Sequence, residues 1–254
     1  MDLFRQTYYI YMRNVKIWVT QPANILPSLF ISVFLYLVFG SSFGSVTQLP
    51  GFPAENYNAF LVSMILVQAV VFSGGDAGFA MLTDMLSGYF DKLLLVPINR
   101  FSILFGSLLV AGTRALIQAV VIVVMALALG VSFKGGAGGI LAVIALSGLF
   151  GIAWSCLGLI IALQTKSVQA TQASFVLFFP FIFLTTAFMP KELLSDWFQV
   201  AVTINPVNYV LEAMRTIVVE GWVWDTILLG VGVLAAMTVV LAALATWLYR
   251  RTTA

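Results

Sequence analysis

Residues 84–100 read DMLSGYFDKLLLVPINR. Wound as an α-helix, this stretch gathers Leu86, Tyr89, Phe90, Leu93 and Leu94 on one side and Asp84, Ser87, Gly88 and Asp91 on the other, the i, i+3, i+4, i+7 spacing of an amphipathic segment. Thr83 and Asp84 suit the positive end of a helix dipole, and Pro97 followed by Asn99 stops the helix before an apolar run that opens at Phe101. The spacing predicts a short two-faced helix over 84–97, and nearly everything on either side of it is apolar.

Apolar residues make up 61% of the 254-residue chain and charged residues 9%, and mean hydropathy is +1.06. A soluble domain carries roughly 25% charged residues. The composition is that of an integral membrane protein, all-α, as one domain over 1–254. Crossing the bilayer core takes about 20 apolar residues. Hydrophobic runs at 25–46, 57–79, 101–131, 140–163, 170–189 and 226–249 predict six transmembrane helices. In the fourth, Gly148, Gly151, Ser155 and Gly158 recur at spacings that allow close helix approach.

Two segments outside these runs are amphipathic. Over 1–22, aromatic residues oppose Arg5, Arg13 and Lys16, which describes a helix lying in the membrane surface. A signal peptide is the competing reading, but the first apolar run is too long for one, and no cleavage is expected. Over 190–224, two short helices meet at Asn205 and Pro206, an N-cap followed by a first-turn proline. Each is too short and too charged to cross, which predicts a re-entrant or interfacial hairpin on the outer side.

With six crossings both termini share one side. Arg5, Arg13, Lys16, Lys92, Arg100, Lys166, Arg250 and Arg251 fall there, against Lys134, Lys191 and Arg215 on the other. The positive-inside rule then makes the termini and the 84–97 helix cytoplasmic.

The chain contains no histidine and one cysteine, Cys156. The commonest general base and metal ligand is therefore missing, no intrachain disulfide can form, and no metal site is expected. A phosphate-binding loop needs G-x-x-x-x-G-K-[ST], and the nearest stretch, Thr165-Lys166-Ser167, lacks the glycine before its lysine. The basic residues are scattered and give no reason to expect nucleic acid. The chain reads as a non-enzyme without a cofactor of its own.

Polar exceptions inside the runs are Gln68, Arg114, Gln118 and Gln172, with Asp76 in the glycine-rich SGGDAG. An arginine within a span costs about 2.5–3.5 kcal/mol on insertion scales, so Arg114 should face water or a partner, with Gln118 one turn on as the candidate. Arg114 is either structural or part of a route. Asp76 is either part of a hinge or a solvated interfacial acid.

The order of parts resembles the membrane-spanning subunit of ABC-2 type exporters, nearest to the permeases of daunorubicin-type drug-resistance transporters. Asp84, Gly88, Asp91, Lys92, Pro97 and Arg100 carry the likeness in one segment, and Pro190, Trp197, Asn205, Pro206, Ala213 and Arg215 in the other. The resemblance implies that 84–97 is a coupling helix docking on a separate ATP-hydrolysing subunit, which binds ATP and Mg. Tyr89, Phe90, Leu93 and Leu94 would make the contacts, Asp91 and Lys92 would set register, and Pro97 would bend the chain into the third span. The opposing reading lays this helix on lipid headgroups. The resemblance also implies a second permease copy or a related permease, and a route lined by the second and fifth spans through Gln68, Gln172, Phe175 and Phe179. It makes Trp197, Asn205, Pro206 and Arg215 parts of an outer gate. The cargo would be a hydrophobic or amphipathic small molecule leaving across a bacterial inner membrane. A lipid or lipid-linked polysaccharide is the alternative cargo, and a channel or membrane scaffold without an ATPase the reading outside this class.

Overall fold

A computed structural model describes residues 3–20, 26–48, 52, 54, 56–96 and 98–253, with the side chains of residues 73–76, 91, 94, 100, 172–178, 252 and 253 outside that description. Every regular element among the described residues is helical: α1 (Leu3–Thr20), α2 (Leu26–Ser42), α3 (Tyr57–Leu86), α4 (Tyr89–Leu95), α5 (Arg100–Ala128), α6 (Gly136–Thr165), α7 (Val168–Phe183), α8 (Asp196–Ile204), α9 (Pro206–Val219) and α10 (Trp224–Thr253).

Helix α3 is the axis of the fold. The side chain of Asn56 caps it by accepting from the Asn58 amide at 2.8 Å, and the helix then packs against α2, α5, α6, α7 and α9. Residues 59–71 are buried without interruption, so α3 is surrounded by protein rather than lipid. Its closest approach is to α6 at two glycines. A Cβ built on Gly78 would lie 2.2 Å from the Gly158 carbonyl oxygen, so only a hydrogen fits there. The backbone is helical through residues 73–76.

Among the described residues, four helices have the length and composition to cross a membrane: α3, Phe101–Ala128 of α5, α6, and Trp224–Arg251 of α10. The other two expected crossings are shorter than their hydrophobic runs. Helix α2 has 17 residues and stops at Ser42, where the backbone tightens into a 3-10 turn over Gly44–Gln48. Helix α7 has 16 residues and contains Pro180, whose ring removes a backbone donor inside the helix. It ends at Phe183 rather than near 189, and irregular backbone follows with Thr185, Thr186 and Ala187 buried.

Helix α1 runs along α5. Gln6, Ile10 and Trp18 are buried, whereas Phe4, Tyr8 and Val19 are exposed. The reason is polar: the Gln6 side-chain oxygen accepts from the Asn99 amide at 2.9 Å and the Ser102 hydroxyl at 3.3 Å, which draws that face inward. Tyr11 and Thr113 share a hydroxyl hydrogen bond of 3.0 Å further along.

Candidate functional site

The amphipathic stretch at 84–97 is not one helix. Helix α3 carries on to Leu86, so Thr83 and Asp84 stand in its last turn rather than at the start of a new helix. Gly88 then takes φ +69°, a left-handed turn that glycine adopts without strain, and α4 begins at Tyr89 with seven residues. A helical wheel drawn through Ser87 and Gly88 misses this change of direction.

An acid in a last turn faces the negative end of the helix dipole, which is unfavourable alone. Here Arg13 of α1 compensates. Its Nη1 donates to Asp84 Oδ2 and its Nη2 to Asp84 Oδ1, both at 2.8 Å. The same guanidinium lies over the Tyr89 ring, 3.9 Å from its centroid. The Arg13 pKa is raised, chiefly by the hydrogen bonds to Asp84, over the opposing effect of partial burial. One side chain of α1 thus clamps the end of α3 and the start of α4.

Phe90 and Leu93 of α4 point into the protein. Phe90 is only 5% exposed and meets Tyr249 of α10 edge to face, centroids 5.9 Å apart; Leu93 packs in the same cluster. Phe90 was expected to be a contact for a soluble partner, and its burial makes it an anchor instead. Lys92 is exposed, as are Leu86, Val96 and, at 86%, Leu95. Leu95 and Val96 were not singled out from sequence. Their position at the end of the apolar run was the signal available. The side chains of Asp91, Leu94 and Arg100, and residue Pro97, lie outside the described residues.

Among the described side chains of the spans, Gln68, Arg114 and Gln118 do not meet one another. Gln68 is buried within α3. Gln118 does not meet Arg114: its amide donates to Ser28 Oγ of α2 at 3.0 Å. Arg114 instead places its guanidinium 5.3 Å from the Trp18 ring centroid on α1. Phe179 is exposed, stacked on Phe183 at 5.6 Å and edge-on to Phe72 at 6.1 Å. The side chains of Asp76, Gln172 and Phe175 lie outside the description.

On the opposite side, the 190–224 segment divides into an exposed and a buried helix. Helix α8 follows a 3-10 turn at Lys191–Leu193 and leaves Trp197, Val200 and Ile204 exposed. Helix α9 is buried along most of its length against α3, α6 and α10. Asn205 makes the junction. Its side-chain oxygen accepts from the Val207 amide at 3.1 Å to cap α9, where Pro206 holds the first position. Its amide donates to the carbonyls of Phe181 and Leu184, 2.8 Å each, which the early end of α7 leaves without helical partners.

Three more α9 residues complete this repair. Asn208 accepts from the Thr186 amide at 2.9 Å and from its hydroxyl at 3.0 Å. The single hydroxyl proton of Thr186 is shared between Asn208 Oδ1 and Glu212 Oε1. Arg215, 5% exposed, donates to Glu212 at 2.9 Å, Thr186 Oγ1 at 3.1 Å and Ala187 O at 3.3 Å, and stands 3.6 Å from the Phe60 ring centroid. Asn208, Glu212 and Thr186 were not anticipated, although 205, 208, 212 and 215 form a polar stripe at helical spacing.

Among the described residues no group of His, Cys, Asp and Glu is placed to hold a metal. The geometry offers positions for contact and motion: a clamped helix at one end, and a buried polar network beside a broken helix at the other.

Known proteins are similar to this chain in sequence. A family model described as ABC-2 type transporter matches residues 5–219. The chain is similar to the daunorubicin resistance ABC transporter permease protein DrrB1 of Streptomyces coeruleorubidus, with 30% identity over 89% of this chain and 77% of that protein. It is also similar to the "Probable doxorubicin resistance ABC transporter permease protein DrrC" of Mycobacterium tuberculosis, with 26% identity over 78% of this chain and 70% of the relative. Matched from α1 through α9, with both the clamped α4 and the network around Arg215 inside the match, the chain belongs to the ABC-2 type transporter family.

Proposed function

We propose that this chain is the permease half of an exporter that moves a hydrophobic or amphipathic small molecule out across a bacterial inner membrane. In this reading the chain crosses six times, with α2 and α7 completing the count and both termini cytoplasmic. ATP and Mg are bound by a separate ATP-hydrolysing subunit, and a second permease copy completes the route. The drug-resistance names of the relatives support the class of cargo.

The observation that carries the proposal is the mounting of α4. Its inner face is fixed by Phe90 on Tyr249 and by Arg13 through Asp84 and Tyr89, while Lys92, Leu95 and Val96 face outward. A helix so held passes a push on its outer face to the ends of α3 and α10 instead of absorbing it. Helix-in-groove recognition needs such an exposed apolar and charged face. At the other end, motion of α3 reaches Arg215 through Phe60, and from there the broken end of α7.

Affinity purification of the tagged chain from its native membrane, with mass spectrometry of what accompanies it, tests this directly. An ATP-hydrolysing subunit is expected with the wild-type chain and not with Leu95→Asp. Its absence from the wild-type preparation under gentle solubilisation overturns the pump reading.

A further inference from the structure

Among the described residues, every exposed side chain of α5 between Phe105 and Leu127, and of α10 between Leu228 and Trp247, is apolar, as a lipid-facing surface requires. The flank formed by α8 and the open side of α9 is mixed. It carries the Glu212 carboxylate, its side chain 33% exposed, and the exposed Lys191 ammonium, which donates to Thr203 Oγ1 at 2.9 Å. Tyr209, one turn before Glu212, donates its hydroxyl to the Thr203 carbonyl at 2.8 Å and joins the two helices. Trp197, Val200 and Ile204 form an exposed apolar stripe along α8. We propose that a second copy of this chain covers this flank of α8 and α9.

Two registers place Glu212 at membrane depth. The Ile217 and Val218 carbonyls accept from the Gly135 and Lys134 amides at 3.0 Å, which ties the end of α9 to the turn between α5 and α6. Glu212 lies about 8 Å further in along α9. Gly230 of α10 packs so closely on α9 that an added Cβ would stand 2.5 Å from the Tyr209 carbonyl oxygen and from Ala213 Cβ. Gly230 is about 9 Å in from Trp224, where that span begins. A carboxylate exposed at this depth excludes hydrocarbon as its neighbour. The apolar stripe beside it excludes bulk water, since clustered exposed apolar side chains mark a protein contact. A twofold pairing brings the same surface together from both copies, so that surface must be self-complementary. An exposed acid, an exposed base and an apolar stripe on one flank meet that condition. Glu192 and Asp196 stand apart from it, at the end of α8 about 12 Å from Ile204. Among the described residues the hydrogen bonds to Glu212, from Thr186 and Arg215, fall on Oε1, which leaves Oε2 for the second copy. The inference rests on the second permease copy of the reading above and names the surface that receives it.

The test uses the full chain, purified alone and reconstituted in lipid. Cys156, its one cysteine, is buried, so nitroxide labels on Val200→Cys, Ile204→Cys and, as a lipid-facing reference on α10, Val240→Cys report their own sites. At Val200→Cys and Ile204→Cys, relaxation by oxygen should fall well below that at Val240→Cys, and relaxation by a water-soluble nickel chelate should stay as low as at that reference. Labels on Ile204→Cys should also show dipolar coupling that disappears on mixing with excess unlabelled chain. Native mass spectrometry should find wild-type dimers. Ile204→Arg should give monomers with the helical content of wild type. Oxygen relaxation equal to the reference means lipid on this flank, and strong nickel relaxation means water; either overturns the proposal, as does absent coupling or a dimer that survives Ile204→Arg. If wild type is still a dimer in those cases, the second permease copy stands and pairs through another face. A monomeric wild type overturns both. None of these outcomes depends on an ATP-hydrolysing partner.

Discussion

Arg13 and Asp84, 71 positions apart, are joined by two parallel charge-assisted hydrogen bonds of 2.8 Å, and the face of the same guanidinium covers Tyr89. The pair ties α1 to the junction of α3 and α4, so whatever moves α4 must also move α1 or break the pair. With side chains 28% and 25% exposed, the pair contributes on the order of 1 kcal/mol, more as a link than as a source of stability. Arg13→Gln and Asp84→Asn should therefore lower unfolding temperature little while reducing transport per ATP hydrolysed. The reversed pair, Arg13→Asp with Asp84→Arg, should recover part of the loss. Proteoliposome transport measured together with ATP hydrolysis reads this ratio; equal coupling in all variants removes the link.

Phe90 and Leu95 sit on the same seven-residue helix and should fail in different ways. Removing the buried ring in Phe90→Ala deletes a contact whose loss costs about 3–5 kcal/mol in a well-packed site. Limited proteolysis should then cut near residues 86–98 faster than in wild type, and Tyr249→Ala should reproduce this without adding to it. Leu95→Asp touches only the outer surface. Its proteolysis pattern should match wild type, and only the association with an ATP-hydrolysing subunit should be lost.

These contrasting roles mark where sequence was legible. Hydropathy located the long helices because an apolar run of sufficient length has few other uses. The cap at Asn205 and the first-turn Pro206 were equally readable, since their geometry is local. The inward turn of Phe90 was not, because its partner Tyr249 comes from the last helix, and Gly88 can continue a helix or reverse it. The network around Arg215 also escaped, since the atoms it satisfies become available only where α7 ends early after Pro180.

Asn205 and Arg215 should not be interchangeable within that network. Asn205→Ala leaves the Phe181 and Leu184 carbonyls without their donor and removes a helix cap, a loss of about 1–3 kcal/mol. Arg215→Ala leaves Glu212, whose side chain is 33% exposed, without its cation and empties the site against Phe60, and should cost about 3 kcal/mol, the low end for breaking a pair of which only the arginine is buried. Replacing both members, Arg215→Met with Glu212→Leu, should recover much of the second loss. Thermal unfolding of the three variants in one lipid composition measures this order, and an Arg215→Met/Glu212→Leu protein less stable than Arg215→Ala would contradict it.

The contact between α3 and α6 gives the sharpest steric prediction. At Gly78 an added methyl group would sit 2.2 Å from the Gly158 carbonyl oxygen, a backbone atom that cannot turn aside. Gly78→Ala must therefore push α3 and α6 apart, and overpacking of this kind costs about 1–3 kcal/mol, which outweighs the gain of up to about 1 kcal/mol from better helix propensity. Gly232 of α10 has nothing within 4 Å of the same added atom. Gly232→Ala collects the propensity gain alone, so the two alanine variants should shift the unfolding midpoint in opposite directions. Because α3 also carries Phe60 against Arg215 and Asp84 against Arg13, a separation at Gly78 should reach both ends of the protein. Gly78→Ala should consequently reduce transport more than a surface change of equal stability cost, and the same proteoliposome assay compares the two.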